Sequence, residues 1–504
     1  MTTYSLLIKN GYVCTASDFY LADIAVKGDK IVAIAPEIDP ALAERVIDAE
    51  GGFVTPGGID AHVHVDEPAR PFGNLSDTLQ SASKSAIAGG TTTMVAFVSQ
   101  DSADPGEESF AKVIKEFQDY GGKDLYSDYG LHMIVSKVDK TLLEKQLENV
   151  TDAGVSSVKM YMTYPGLQLR DSDLMTAMYN LRKQGITTML HAENGDMISW
   201  MIDSLEEQGK TSPFYHGVSR PTMFEAEATN RAIVLSQTMD NPVLFVHVSA
   251  PEAFKRINEA QTEGLPVYAE TCPQYLFLSE DRLQNCTHGD ADSFEPAKYI
   301  CSPPLRTSEA DQAAVWLAIR NGTVTIVSSD HAPTMFDGED GKRAAFKNGH
   351  NGEFRWIPNG LPGVETRMPL MFSYGVEDGR ISVQKFVEVM CTNPAKLYGM
   401  YPRKGAILPG SSDADLVIWY PSGKYTGPAT IQNKNLNHNT DYTAFEGFPI
   451  KNWPRYTILK GKVMYQHGKI LEETAGTGDY LKRGPSSLAG PQNKWLNQWR
   501  PHYT

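Results

Sequence analysis

Cysteine is scarce in this chain. Five stand in 504 residues, Cys14, Cys272, Cys286, Cys301 and Cys391, with no CxxC spacing. Neither a disulfide framework nor a thiolate metal site is indicated. Long apolar runs are missing as well: none would span a bilayer, and the opening MTTYSLLIKNG alternates like a strand, unlike a signal peptide. Basic residues fall short of acidic ones, 46 against 61, for a formal charge of −15. Such a surface repels polyanions, so nucleic acid and anionic membranes are poor partners. A cytoplasmic protein that acts on a small neutral substrate is what these absences leave.

What the chain does contain is eight short strand-like runs. They are FVTPGGIDAHVHV, carrying His62 and His64; TTTMVAF (91–97); YGLHMIV (129–135); SVKMYMTY, carrying Lys159 and Tyr164; TTMLHAE with His191; VLFVHVS with His247; VYAETCP (267–273); and VTIVSSD, closing on Asp330. Each is apolar, rich in β-branched residues and too short for a helix. Stretches of helical spacing separate most of them. DSDLMTAMYNLRKQG (171–185) shows the pattern, with Asp171 expected as N-cap and Gly185 as the stop. RPTMFEAEATNRAIVLSQT, PEAFKRINEAQ and SEADQAAVWLAIRNG read the same way. Strand and helix alternating about eight times predict an α/β fold, a parallel (β/α)8 barrel with its active site at the carboxyl ends of the strands.

The two ends of the chain form a second unit. Residues 4 to about 55 alternate as strands around a Lys-Gly-Asp turn, and the pattern returns at ADLVIWYP and RYTILKGKVMYQHGKI. The predicted organisation is a small β-sandwich built from residues 1–55 and 401–475, the barrel as 56–400 between them, and a tail, 476–504. The tail is rich in Pro and Gly yet carries two tryptophans, so it is expected to pack on a neighbouring surface as an oligomer contact. Residues 333–356, a run of Asp, Gly, Lys and Asn, are expected to form a mobile surface excursion near the site mouth.

The chemistry lies at the strand ends. His62 and His64 are two apart on an extended segment, so their side chains share a side and can share a cation. His191 and His247 each close a buried-looking strand, where a hydrogen-bonded core histidine is the ordinary alternative. Asp330 closes an apolar strand as either an N-cap or a functional group. Lys159, inside SSVKMYM, would be a costly desolvated ammonium unless it pairs, lowers its pKa or is chemically altered; snorkelling is the plainer reading. The plain readings fail jointly, because all six residues reach the same end of one barrel. His132 reads as structural, His331 as a supporting neighbour of Asp330, and Phe97, Met160 and Met162 as barrel packing.

The motifs, in order, resemble those of the cyclic amidohydrolases, and among them the hydantoinase/dihydropyrimidinase family. They are TPGGIDAHVHVDEP (55–68), AGGTTT (88–93), SVKMYMTYPG (157–166), LHAENGD, HGVSRP (216–221), FVHVS, AETCPQYL, CSPPLR, SSDHAP, IPNGLPGVETRMPL (357–370) and TNPAKLYGMYPRKGAILPGSSDADLVIW (392–419). The likeness spans essentially the whole chain and is expected to be strongest to fungal members. It implies two Zn2+ per subunit, one held by His62, His64 and Asp330 and the other by His191 and His247, with an N6-carboxylated Lys159 bridging them. It also implies that a zinc-bridging hydroxide attacks the ring carbonyl, that Asp330 is the general base and acid, and that Tyr164 stabilises the oxyanion. Backbone groups at Ser302 and Asn359 match positions that grip the imide edge of the ring, and residues 66–74 match a loop lining its substituent side.

The substrates implied are 5,6-dihydrouracil and 5,6-dihydrothymine, opened to N-carbamoyl-β-amino acids in reductive pyrimidine catabolism, and the assembly implied is a homotetramer. Hydantoinase or allantoinase activity and a non-catalytic scaffold of the same fold are the alternatives. Dihydroorotases carry HxHxR, whose arginine pairs a substrate carboxylate; Asp66 at that position disfavours an anionic ring. Tyr164 and the IPNG and GVETRMPL segments favour the dihydropyrimidine over allantoin. Scaffold relatives have lost metal ligands, all of which are present here.

Overall fold

The computed structural model describes residues 3–67, 74–101, 103–104, 106–284, 293–307, 309–338 and 340–490. Eight parallel strands make its central sheet: Gly58–Val63, Thr91–Ser99, Asp128–Ile134, Ser157–Tyr161, Thr187–His191, Val243–Phe245, Val267–Thr271 and Ile326–Val327. Each is hydrogen-bonded to the next in chain order. A parallel bridge between Val63 and His331 joins the last strand to the first, with the His64 amide donating to His331 O at 2.7 Å. The barrel therefore closes beside the candidate ligands. Every residue of Gly58–Val63 and of Thr187–His191 is buried, as expected of strands covered on both faces.

All eight predicted runs contribute a strand, with one refinement. FVTPGGIDAHVHV divides at Gly57: Phe53–Pro56 enters the outer sheet and Gly58–Val63 the barrel. A Cβ on Gly57 would lie 2.0 Å from Thr92 Oγ1, so the crossing between sheets is made where only glycine fits. The predicted helices form as Asp171–Gln184, Thr222–Met239, Pro251–Thr262 and Glu309–Arg320. Gly185 stops the first of them at φ 66°, but its N-cap is Arg170 rather than Asp171. Asp171 is the first helical residue, where its charge suits the helix N-terminus, and it pairs with Arg231 at 2.7 Å.

Inside the barrel, Ile59, Val95, Phe97, Met189, Leu244 and Ile326 pack with Leu397, Tyr398, Met400 and Leu481. The Ser156 and Thr187 hydroxyls, at the amino ends of two strands, donate to Tyr398 O and Leu397 O. The end opposite the ligands is thereby plugged.

The outer sheet has nine strands from both ends of the chain: Tyr4–Cys14, Phe19–Lys27, Lys30–Ala35, Ala43–Asp48, Phe53–Pro56, Leu416–Trp419, Pro454–Leu459, Lys462–Gln466 and Lys469–Ile470. The two ends meet where Leu416–Trp419 pairs antiparallel with Phe53–Pro56. The strands expected as a sandwich form one mixed sheet, and residues such as Leu6, Ile24, Val54, Leu416 and Ile458 share a single core.

Residues 333–356 correct an expectation. Phe336, Lys342, Ala345 and Phe354 are buried, and the three apolar ones pack with Ile300, Ile357 and Tyr442, so this polar-looking run is anchored in the interior at those residues, while Asp337, Asp340, residues 347–349 and Asn351 are exposed. The described part of the tail lies on its own barrel: Leu481 N donates to Tyr129 O at 2.7 Å, Arg483 N to Gly154 O at 2.9 Å and Ser487 N to Lys396 O at 2.8 Å. The tail tryptophans Trp495 and Trp499, Cys286 and residues 68–73 of the 66–74 loop lie outside the described residues. Cys14, Cys272, Cys301 and Cys391 are buried free thiols. No helix among the described residues is long and apolar enough to cross a membrane.

Candidate active site

Six ligand-type side chains meet at the carboxyl ends of the strands. His62 lies in the first barrel strand and His64 just beyond it, Lys159 in the fourth, His191 at the end of the fifth, and His247 and Asp330 just past the sixth and eighth. The ligand atoms of His62, His64 and Asp330 all lie within 4.8 Å of one another. Asp330 Oδ1 is 3.2 Å from His62 Nε2 and 3.6 Å from His64 Nε2. His191 and His247 stand beside this cluster, their ring centroids 4.4 Å apart, with His247 5.3 Å from His62. Lys159 Nζ is 3.4 Å from His62 Nε2 and lies over the rings of Phe97 and Tyr161.

The electrostatics suit cation binding. Burial, with Lys159 and neighbouring imidazoles adding to it, holds His62 and His247 well below the ordinary histidine value. Burial also lowers His191, against the pull of Glu193. Neutral imidazole is the form that ligates a metal, and the hydrogen bond at one ring nitrogen decides which lone pair is free. His62 Nδ1 lies 2.6 Å from Glu270 Oε1, His64 Nδ1 meets Glu67, and His191 Nε2 donates to Glu193 at 2.7 Å. His247 Nδ1 is buried without a partner, an orphaned donor atom of the kind a cation satisfies. Burial lowers Lys159 below the ordinary lysine range, with Asp330 and Glu270 pulling the other way. Burial pushes the nearby Cys272 thiol well up, Glu270 and Asp330 adding to it, so sulfur stays protonated. Imidazole nitrogen and carboxylate oxygen donors of this kind fit a divalent metal such as zinc.

Across from the histidines, the Tyr164 hydroxyl meets the side chain of Ser302, and Ser302 Oγ accepts from Asn359 Nδ2 at 3.1 Å. The three residues expected to touch substrate thus form one chain of contacts. Tyr164 also edges the His191 ring at 5.1 Å and lies 5.5 Å below the Arg220 guanidinium. Burial pushes its phenol up to about 12, with Arg220 opposing. Asn359 Oδ1 and Arg220 Nε are buried and unpartnered. Tyr164, His247 and Asp330 take φ of 73°, 39° and 51°, a left-handed conformation that costs a non-glycine residue on the order of 1–3 kcal/mol and tends to gather at functional sites.

Sequence reasoning missed the carboxylates behind the candidate ligands. Glu67 is three residues from His64, Glu193 two from His191, and Glu270 sits in an apolar strand, so an acid close to a histidine at a strand end was the available signal. Arg220, in HGVSRP, donates to Glu193 at 2.9 Å and had no such signal. Phe97, read as packing, is packing of a specific kind: it stacks on His64 at 4.5 Å and edges His62 at 4.8 Å. His132 is structural, with Nε2 3.0 Å from Ala61 O. His331 bonds Asp77 at 3.1 Å and accepts from Gly363 N at 3.0 Å, bracing the seam. Asp66 accepts the Leu79 amide at 2.6 Å, so its carboxylate is committed to the start of a helix.

A barrel with this donor set at its carboxyl ends defines a class, and comparison supports it. The chain belongs to the amidohydrolase family, whose model matches residues 53–464. It is 38% identical over 480 residues to a D-hydantoinase of Ralstonia pickettii, covering 95% of this chain and 98% of the relative. A D-hydantoinase of Streptomyces coelicolor is 40% identical over 463 residues, covering 90% and 93%. Among solved structures, dihydropyrimidinase from Brevibacillus agri superposes with a TM-score of 0.86 at 37% identity, over 95% of this chain and 99% of that one.

Proposed function

We propose that this protein hydrolyses cyclic amides, opening 5,6-dihydrouracil or 5,6-dihydrothymine to N-carbamoyl-β-amino acids, with hydantoins opened by the same chemistry. The observation that carries the reading is the convergence of His62, His64, Lys159, His191, His247 and Asp330 beside the contact chain Tyr164, Ser302 and Asn359. The names of the relatives point the same way.

His62, His64 and Asp330 would hold one zinc ion and His191 and His247 a second, with Lys159 between them. The Lys159 ammonium would first give up a proton, and carboxylation of the resulting amine by CO2 would form an N–C bond with loss of a second, replacing an awkward buried cation with an anion. When bound, the two cations supply Lewis acidity for the carbonyl and a water acidified far below its bulk pKa. The chain's own groups do the rest. Asp330 takes a proton from the attacking water and delivers it to the ring nitrogen as the C–N bond breaks. Tyr164, kept protonated by burial, donates to the oxygen on which charge develops. The orphaned Asn359 Oδ1 accepts a ring N–H, with Ser302 beside it. We also propose a homotetrameric assembly; a monomer mass by light scattering would end that part.

The test is ring opening by purified protein supplied with zinc and bicarbonate, on dihydrouracil, hydantoin and allantoin in parallel. Dihydrouracil or hydantoin should open, and Tyr164→Phe should reduce turnover on the order of 10² with zinc content unchanged. Full turnover by that variant removes the oxyanion role. A zinc-loaded wild type that opens none of the rings removes the whole reading.

A further inference from the structure

Ser302 and Asn359 stand on two irregular segments, 300–303 and 357–360, so no strand or long helix fixes their separation. Two hydrogen bonds join the segments directly: Gly360 N donates to Ile300 O at 3.0 Å, and Asn359 Nδ2 to Ser302 Oγ. The third link comes from elsewhere. Lys342 Nζ donates to Ile300 O at 3.1 Å and to Pro358 O at 2.8 Å, reaching the residues just before Cys301 and Asn359.

Lys342 is 0% exposed, and no carboxylate among the described residues pairs with it. Burial drives its ammonium down to about 7, with only Cys301 pulling upward. Packing alone does not account for such a residue, because an apolar side chain of similar volume fills the same space without desolvating an amine. What the amine adds is a pair of donors held between two carbonyls. Its own backbone is fixed as well, Lys342 N donating to Met335 O at 2.8 Å, so the donor is anchored within the 333–356 run.

We infer that Lys342 is a positioning residue: its side chain clamps the carbonyls of Ile300 and Pro358 and so sets Ser302 and Asn359 at the spacing that receives the imide edge of the substrate ring. The substrate half of this statement rests on the proposed function, while the clamp itself does not. Lys342 touches neither the metal donors nor the reacting atoms, so its loss acts on ring binding more than on the chemical step.

The experiment compares wild type, Lys342→Gln and Lys342→Met as full-length, zinc-loaded proteins. Lys342→Met should raise KM for dihydrouracil about tenfold and leave kcat within about threefold, and Lys342→Gln, which keeps an N–H donor on a shorter arm, should fall between. Zinc content should not change. Amide hydrogen exchange should quicken at Ile300, Cys301 and Ser302 and at Ile357, Asn359 and Gly360 against the rest of the barrel. An unchanged KM with unchanged exchange in either folded variant overturns the clamp, as does a loss shared by kcat, KM and global stability. Should Lys342→Met fail to accumulate, Lys342→Gln is read by the same measures. Loosened segments together with a wild type that opens no ring would leave the clamp standing and remove the substrate reading.

Discussion

Glu193 accepts from both His191 Nε2 and Arg220, and burial, which would raise its pKa, is overridden by Arg220 and His191, holding it at about 2. It is therefore a fixed anion that assigns the His191 proton to Nε2 and leaves Nδ1 as the lone pair. Arg220 carries the same order across to Tyr164, over whose ring its guanidinium lies. Glu193→Gln keeps the shape but lets an N–H face the imidazole, which removes the preference for one tautomer. Zinc affinity, measured by competition with a chromogenic chelator, is expected to fall about 10- to 100-fold, with turnover at fixed zinc falling in step. Undiminished affinity would mean that Glu193 merely neutralises Arg220.

At the scale of elements, the segment carrying Lys482 to Gly484 crosses the amino end of the barrel on a seat of glycines. A Cβ on Gly399 would come 1.9 Å from Gly484 O, and one on Gly154 2.7 Å from Lys482 Cα. Gly399 also takes φ 68°, so Gly399→Ala combines backbone strain with a collision against main chain. Denaturant unfolding should show a loss of about 1–3 kcal/mol with zinc binding preserved; a loss below about 0.5 kcal/mol would show the tail shifting aside freely. That the tail packs was expected from its composition, but its seat on its own barrel was not legible, because the tail has no period and its seats are single glycines far away along the chain. The eight barrel strands were legible for the opposite reason: each is a continuous apolar block, and His62, His64, His191, His247 and Asp330 stand at the ends of such blocks. The partner of His62 was hidden by distance, Glu270 lying 208 positions away, whereas Glu67 and Glu193 stand beside His64 and His191 in the chain. Residues 333–356 misled because Phe336, Lys342, Ala345 and Phe354 are buried at no regular spacing among polar neighbours.

For the molecule as a whole, buried charge joins what the two sheets and the tail would otherwise leave separate. Lys404, 1% exposed, lies 2.6 Å from Asp128, 2.6 Å from Asp415 and 3.0 Å from Asp413. Asp128 opens the third barrel strand, and Asp415 immediately precedes the outer-sheet strand Leu416–Trp419. Asp128 also accepts the Asp479 amide at 2.8 Å and pairs with Lys460 at 2.7 Å, and Lys460 in turn reaches Asp479 at 2.7 Å. Burial would lower Lys404, yet the three carboxylates raise it above the ordinary lysine value, so the cation is bound by its neighbours rather than merely enclosed by them. Lys404→Met removes that cation and leaves carboxylates crowded in the interior, a loss on the order of 3–5 kcal/mol. Since the affected acids belong to barrel and outer sheet alike, calorimetry should show one transition moved to lower temperature rather than a second one split off. Two separate transitions would mean that the barrel holds its fold independently of the outer sheet. Turnover per folded, zinc-loaded molecule should be unchanged, because this network lies at the amino ends of the strands while the candidate ligands stand at the carboxyl ends.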